Sequence, residues 1–158
     1  MNHSEREVGL DYLGTVIEER LQNGQQVQMT VVGNSMFPLF RNKLDSVILS
    51  PIQKRIKKGD VVLYKRTNGQ YVLHRIIRYK KGVYSANGDN QYWIETPLFS
   101  EQFLGLMTGF HRKNKLYSTS ALWYRIYSFV WVVARPLRGF ILKILIKIRT
   151  WVKHFEKK

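Results

Sequence analysis

The chain has no cysteine among its 158 residues. That excludes a disulfide framework, a thiol nucleophile and a thiolate metal site. It does not fix a compartment, because exported domains can also lack cysteine. Acidic residues are scarce: eleven Asp and Glu stand against twenty-six Lys and Arg, a formal charge of +15. So basic a balance implies an anionic partner, whether lipid headgroups, nucleic acid or an acidic peptide. The first thirty residues carry Glu5, Glu7, Asp11, Glu18 and Glu19 and no continuous apolar run. They therefore read neither as a signal peptide nor as a span, which takes roughly 20 apolar residues. The four histidines show no zinc spacing. No phosphate-cradling glycine loop, internal repeat or low-complexity stretch occurs. The expectation is chemistry without metal or cofactor.

What is present organises the chain in three parts. Residues 1–24 read as a helical segment, with Val8, Tyr12, Leu13, Val16, Ile17 and Leu21 near one stripe and Asn23-Gly24 as its stop. Residues 25–118 read as β. Short Val-, Ile- and Leu-rich runs at 45–49, 60–65, 71–77, 83–86 and 103–111 alternate with turn signals about every ten residues. The fold class that follows is mainly β, a compact body of coiled sheets with an N-terminal helix and a C-terminal amphipathic helical tail. Asn68-Gly69 marks a hairpin with a loop longer than two residues. Residues 119–158 form the tail. Charge is densest from Tyr117 onward, where nine basic residues meet one acid, Glu156; the other 116 residues hold seventeen basic and ten acidic.

The run Gly33-Asn34-Ser35-Met36-Phe37-Pro38 follows an apolar β-like stretch and supplies a candidate nucleophile. A serine hydroxyl needs a neighbouring base, and that base works best when a third group orients it. Leu73-His74-Arg75-Ile76 offers the base, Asn87-Gly88-Asp89-Asn90 offers an acid, and Gly59-Asp60-Val61-Val62 lies between nucleophile and base. In this order the boxes resemble the signal peptidase I family of serine peptidases, in the His-containing branch typical of endoplasmic-reticulum and archaeal enzymes. The resemblance covers roughly residues 27–110, about half the chain. It implies a serine endopeptidase cutting a precursor or leader peptide, with Ser35 as nucleophile, His74 as general base and Asp89 orienting His74. The Ser35 N–H would be one oxyanion donor. Gly33 stands where many relatives carry a hydroxyl, so a main-chain donor or a water would substitute there. Met36 would wall the site. A second acid often follows the Gly-Asp box in that branch, and Glu95 is the one acid nearby. An extended substrate would add beside an exposed strand, small side chains flanking the cut.

Each of these residues has a plainer reading when taken alone. Ser35 could be a turn serine, His74 a half-buried strand histidine and Asp89 a turn acid; it is their order that favours catalysis. Lys65 or Lys80 could serve as base instead. The Ser-Met pair also resembles self-cleaving domains of the SOS-repressor type, but those use Lys and follow a DNA-binding domain, for which the first 25 residues are too short. The rival from another class is a non-catalytic, basic membrane- or nucleic-acid-binding protein that keeps a degenerate peptidase body. In the tail, residues 137–155 place Arg138, Lys143, Lys147, Arg149 and Lys153 on a polar arc and Trp151 and Phe155 on an apolar one. Such a stretch suits an anionic membrane surface better than nucleic acid. A tail anchor through 121–134, or soluble packing of both segments, are the other possibilities. The expected location is peripheral, on the cytoplasmic face of a membrane.

Overall fold

The computed structural model describes residues 3–155, with side chains at 13–144, 147 and 148. A helix, α1 (His3–Gln22), leads into eight strands, and two helices close the chain. The strands are β1 (Val27–Thr30), β2 (Ser46–Ser50), β3 (Val61–Lys65), β4 (Tyr71–Lys80), β5 (Val83–Asn87), β6 (Glu95–Leu98), β7 (Phe103–Arg112) and β8 (Lys115–Ser118). The helices are α2 (Leu122–Val133) and α3 (Arg138–Phe155), joined by a 3-10 turn at Arg135–Leu137. All strands join one antiparallel sheet in the order β1-β2-β7-β3-β4-β5-β6, with β8 added to β7. The sheet is not closed, and the mainly β class expected from the turn spacing holds.

Register shifts interrupt the β2–β7, β3–β7, β4–β5 and β5–β6 ladders. Bulges of this kind bend and coil a sheet. Alternation along β3 then splits the core. Val61 and Leu63 join a cluster with Met36, Leu39, Phe110, Tyr124 and the α1 residues Ile17 and Leu21. Val62 and Tyr64, facing the opposite way, join Ile76, Tyr84, Ala86 and Phe103. Helices α1 and α2 therefore both contribute to the cluster on one face.

Two details of the sequence reading change. Ile17 and Leu21 are buried as the helical stripe requires, but Leu13 is exposed; Val8 and Tyr12 lie outside the described side chains. Glu18 on the same helix is half-buried, accepts a hydrogen bond from the Tyr71 hydroxyl at 2.9 Å and pairs with Lys65 at 3.1 Å. Strand β6 was not anticipated, since Glu95-Thr96-Pro97-Leu98 lacks the β-branched, alternating pattern that marks a strand.

Candidate active site

The serine run forms a loop that is held by its own main chain. Phe37 N–H donates to Asn34 O and Phe40 N–H to Met36 O, each at 3.1 Å. Met36 is buried in the core, which pins the loop from below, while Ser35 stays half-exposed. Gly33 has φ +94°, a conformation that a Cβ would strain. Its N–H donates to Asn42 Oδ1 at 2.8 Å. Of the two donors expected there, a main-chain N–H or a water, the Gly33 N–H is thus already engaged within the loop.

The loop is fastened to the turn that follows β5. Asn90 N–H donates to Ser35 O at 2.7 Å, and Asn90 Nδ2 donates to Asn34 O at 3.2 Å. Gly88 is what lets the two segments meet, because a Cβ there would come within 2.7 Å of Ser35 O. Strand β5 pairs with β4, Asn87 opposite Arg75, and so the serine loop is tied to β4; among the described residues no hydrogen bond joins Ser35 to His74 itself.

His74 is buried on β4. Its Nδ1 lies 3.1 Å from Glu95 Oε1 and 3.2 Å from the Tyr64 hydroxyl. Glu95, at the start of β6, also accepts from Arg66, whose Nε approaches Oε2 at 2.8 Å and whose Nη2 meets Oε1. Burial pushes the Glu95 carboxyl up, but Arg66, Tyr64 and His74 outweigh it and hold the group below its ordinary value. An ionised Glu95 is a pure acceptor, which assigns the proton to His74 Nδ1 and leaves Nε2 as the basic nitrogen. Burial lowers the imidazole to about 4, with Glu95 opposing that shift.

The acid beside His74 is therefore Glu95, and the orienting role expected of Asp89 is corrected. Asp89 is fully buried and its carboxylate accepts two hydrogen bonds from Arg75, Nε to Oδ1 at 2.9 Å and Nη2 to Oδ2 at 2.7 Å. The remaining guanidinium nitrogen of Arg75 donates to Gly59 O at 2.9 Å and Ser128 Oγ at 2.8 Å. Burial opposes the Arg75 charge, yet Asp89 more than compensates and its pKa is raised. A buried, permanently charged side chain is costly unless it is paired or richly hydrogen-bonded, and a carboxylate is its strongest partner. Arg75 was visible in the sequence as a member of the His-Arg pair, and that rule could have assigned Asp89 to it.

The segment read as a tail is built into the same structure. Tyr124, Ser128 and Trp131 on α2 are buried; Ser128 Oγ donates to Gly59 O at 2.7 Å and the Trp131 indole to Asp89 O at 3.3 Å. Arg138, expected on the polar, membrane-facing arc, is instead buried and donates to Trp131 O, Asn87 Oδ1 and Gly88 O. Its side chain bolts α3 to the turn that carries Asp89. Lys143 and Lys147 are exposed as expected; Arg149, Trp151, Lys153 and Phe155 lie outside the described side chains. Of the alternative bases, Lys65 is paired with Glu18 and Lys80 is exposed at the end of β4. Among the described residues no cluster of metal-ligating side chains occurs. No family model matches the sequence, and no curated protein matches it.

Proposed function

We propose that the protein is a serine endopeptidase that hydrolyses a peptide bond in a precursor or leader peptide, with Ser35 as nucleophile, His74 as general base and Glu95 as the carboxylate that positions His74. The observation that carries this reading is the buried imidazole whose Nδ1 is held by an ionised carboxylate. That arrangement fixes ring orientation and tautomer and turns Nε2 into the proton acceptor. The resemblance of the Ser-Met-x-Pro, Gly-Asp and His-Arg boxes to the signal peptidase I family supports the roles of Ser35 and His74.

In this mechanism Ser35 Oγ adds to the scissile carbonyl carbon as its proton passes to His74 Nε2. The Ser35 N–H donates to the oxyanion, and Glu95 stabilises the imidazolium. Collapse expels the amine, which takes the proton from His74, and leaves an acyl ester on Ser35. Water, deprotonated by the same nitrogen, then releases the carboxylic acid and restores the serine.

A fluorophosphonate probe tests the assignment directly. The folded wild-type protein should be labelled at one site, and Ser35→Ala and His74→Ala should abolish labelling. Lys65→Ala and Lys80→Ala should leave it unchanged. Labelling that survives in Ser35→Ala, or that is lost equally with a lysine, overturns the proposal. Mass spectrometry of precursors co-expressed with wild-type or Ser35→Ala protein would identify the cut peptide.

A further inference from the structure

Helix α2 buries Tyr124, Ser128 and Trp131 against the body, yet its other side is apolar and in solvent. Leu122, Ile126, Phe129 and Val133 recur at intervals of three and four, and Leu137 and Phe140 continue the row into α3. Leu122, Phe129 and Phe140 keep 71, 70 and 70% of their surface exposed. No acidic residue occurs from Leu122 to Phe155. A contiguous exposed stripe of large apolar side chains on a monomer marks an interaction surface. Among the described residues, no helix is long and apolar enough to cross a membrane.

Beside this stripe lies a cavity of about 530 Å³, between the start of α2 and the loop before β3. Lys54, Lys57, Lys58 and Arg125 line it together with the hydroxyl residues Thr119 and Ser120, and Phe129 belongs to both cavity and stripe. All four cations are exposed. The one acid in the cavity is Asp60, whose Oδ2 accepts the Lys57 N–H at 2.8 Å. Four cations thus surround a space that is continuous with an apolar ridge.

We infer that this cavity is a headgroup site for an anionic phospholipid, and that the α2–α3 stripe beside it inserts among the acyl chains of the same bilayer. The pairing of features selects the occupant. A nucleic acid would satisfy the cations but leave the ridge in water. A bilayer rich in anionic lipid satisfies both, since an amphipathic helix lies in the interface while cations on its border hold phosphates. The ridge is also rigid relative to the body, because Arg75 and Arg138 hydrogen-bond across the junction. Docking therefore sets a fixed orientation of the whole protein on the membrane. The exposed Tyr92 lies next to α3, where a Cβ on Gly139 would meet its ring, and Tyr92, Trp93 and Ile94, all exposed, directly precede Glu95.

Flotation of the full chain with vesicles tests this without recourse to catalysis, and Ser35→Ala protein should float as wild type does. Vesicles of phosphatidylglycerol and phosphatidylcholine should bind the protein at physiological salt, and pure phosphatidylcholine should not. Lys54→Gln/Lys57→Gln/Lys58→Gln should weaken partition on the order of 100-fold, about fivefold per cation. Phe129→Glu, at a position already in solvent, should weaken it at least about tenfold with unchanged circular dichroism. Unchanged partition in either variant overturns the inference, as does equal binding to the neutral vesicles. Displacement by millimolar glycerol 1-phosphate would make the cavity a site for a free phosphate ester and likewise overturn the lipid assignment. Loss of flotation with probe labelling retained would separate this failure from that of the peptidase reading.

Discussion

His74 and Arg75 are neighbours on one strand, face opposite sides of the sheet and meet different carboxylates. The Arg75 cluster is sealed: guanidinium and Asp89 are both fully buried, and the polar groups around them come from the Gly59 carbonyl and from α2. The His74 cluster is looser. Glu95 retains some exposure, shares its charge with Arg66 near the surface, and faces a ring that can gain or lose a proton. A permanent cation with a buried acid makes a fixed joint. A titratable ring with a partly solvated acid makes a device that can accept a proton and return it. The difference separates a fixed joint from the proposed proton acceptor within two adjacent residues.

Exchanging each carboxylate for its amide sharpens that contrast. Glu95→Gln removes the charge that holds the Nδ1 tautomer, and kcat toward a peptide substrate should fall on the order of 10⁴-fold. Stability should change by less than about 1 kcal/mol, since Arg66 can turn its charge to water. Steady-state kinetics beside urea unfolding measure both. An unchanged kcat would remove Glu95 from the proposed mechanism.

Asp89→Asn should behave in the converse way. It leaves Arg75 charged and buried without a counter-ion, which costs about 3–5 kcal/mol of stability. Below the unfolding transition of the variant, kcat should stay within about tenfold of wild type, because no bond from Asp89 reaches His74. If kcat falls as far as in Glu95→Gln while stability is kept, the two carboxylates have been assigned the wrong way round.

This division also separates what is legible in the sequence from what is not. The strands at 61–65, 71–80 and 103–112, the hairpin loop between β3 and β4 and the candidate serine loop all announce themselves through local alternation and turn residues. Which acid faces His74 does not. Asp89 sits in a recognisable Gly-Asp box, whereas Glu95 sits in a strand with two polar residues and a proline, so motif order pointed to the former. The choice is made by pairing across the sheet, where β6 is carried to β5 and the bulged β4–β5 register places Asn87 opposite Arg75. The tail shows the same limit. Its 3.6-residue periodicity correctly signalled a helix with an apolar arc, but Arg138 belongs by periodicity to the polar arc and by packing to the core. Periodicity knows only the helix axis, and a buried arginine is selected by acceptors such as Asn87 Oδ1, fifty-one residues away.

The smallest effect separates the clusters by pH. Arg75 keeps its proton throughout, whereas burial depresses His74 to about 4 from its ordinary value of 6.5. Between those values the unfolded chain binds the proton and the folded protein refuses it. The neutral ring's contribution to stability is therefore complete above pH 6.5 and is lost progressively as pH falls toward 4. The loss approaches but does not exceed about 1.4 kcal/mol per pH unit. Asp60, raised by burial, has the opposite sign, so the proper measure is the difference between wild type and His74→Gln in urea unfolding at pH 7.5, 6.5, 5.5 and 4.5. That difference should narrow in wild type's disfavour as the pH drops. A flat difference would mean the ring is protonated as readily in the folded protein as in water. The imidazole could then not be buried beside Tyr64 as described. The same depression predicts that kcat/KM keeps its neutral base down to about pH 4, so the acid limb of its pH profile should lie near 4 rather than near 6.5.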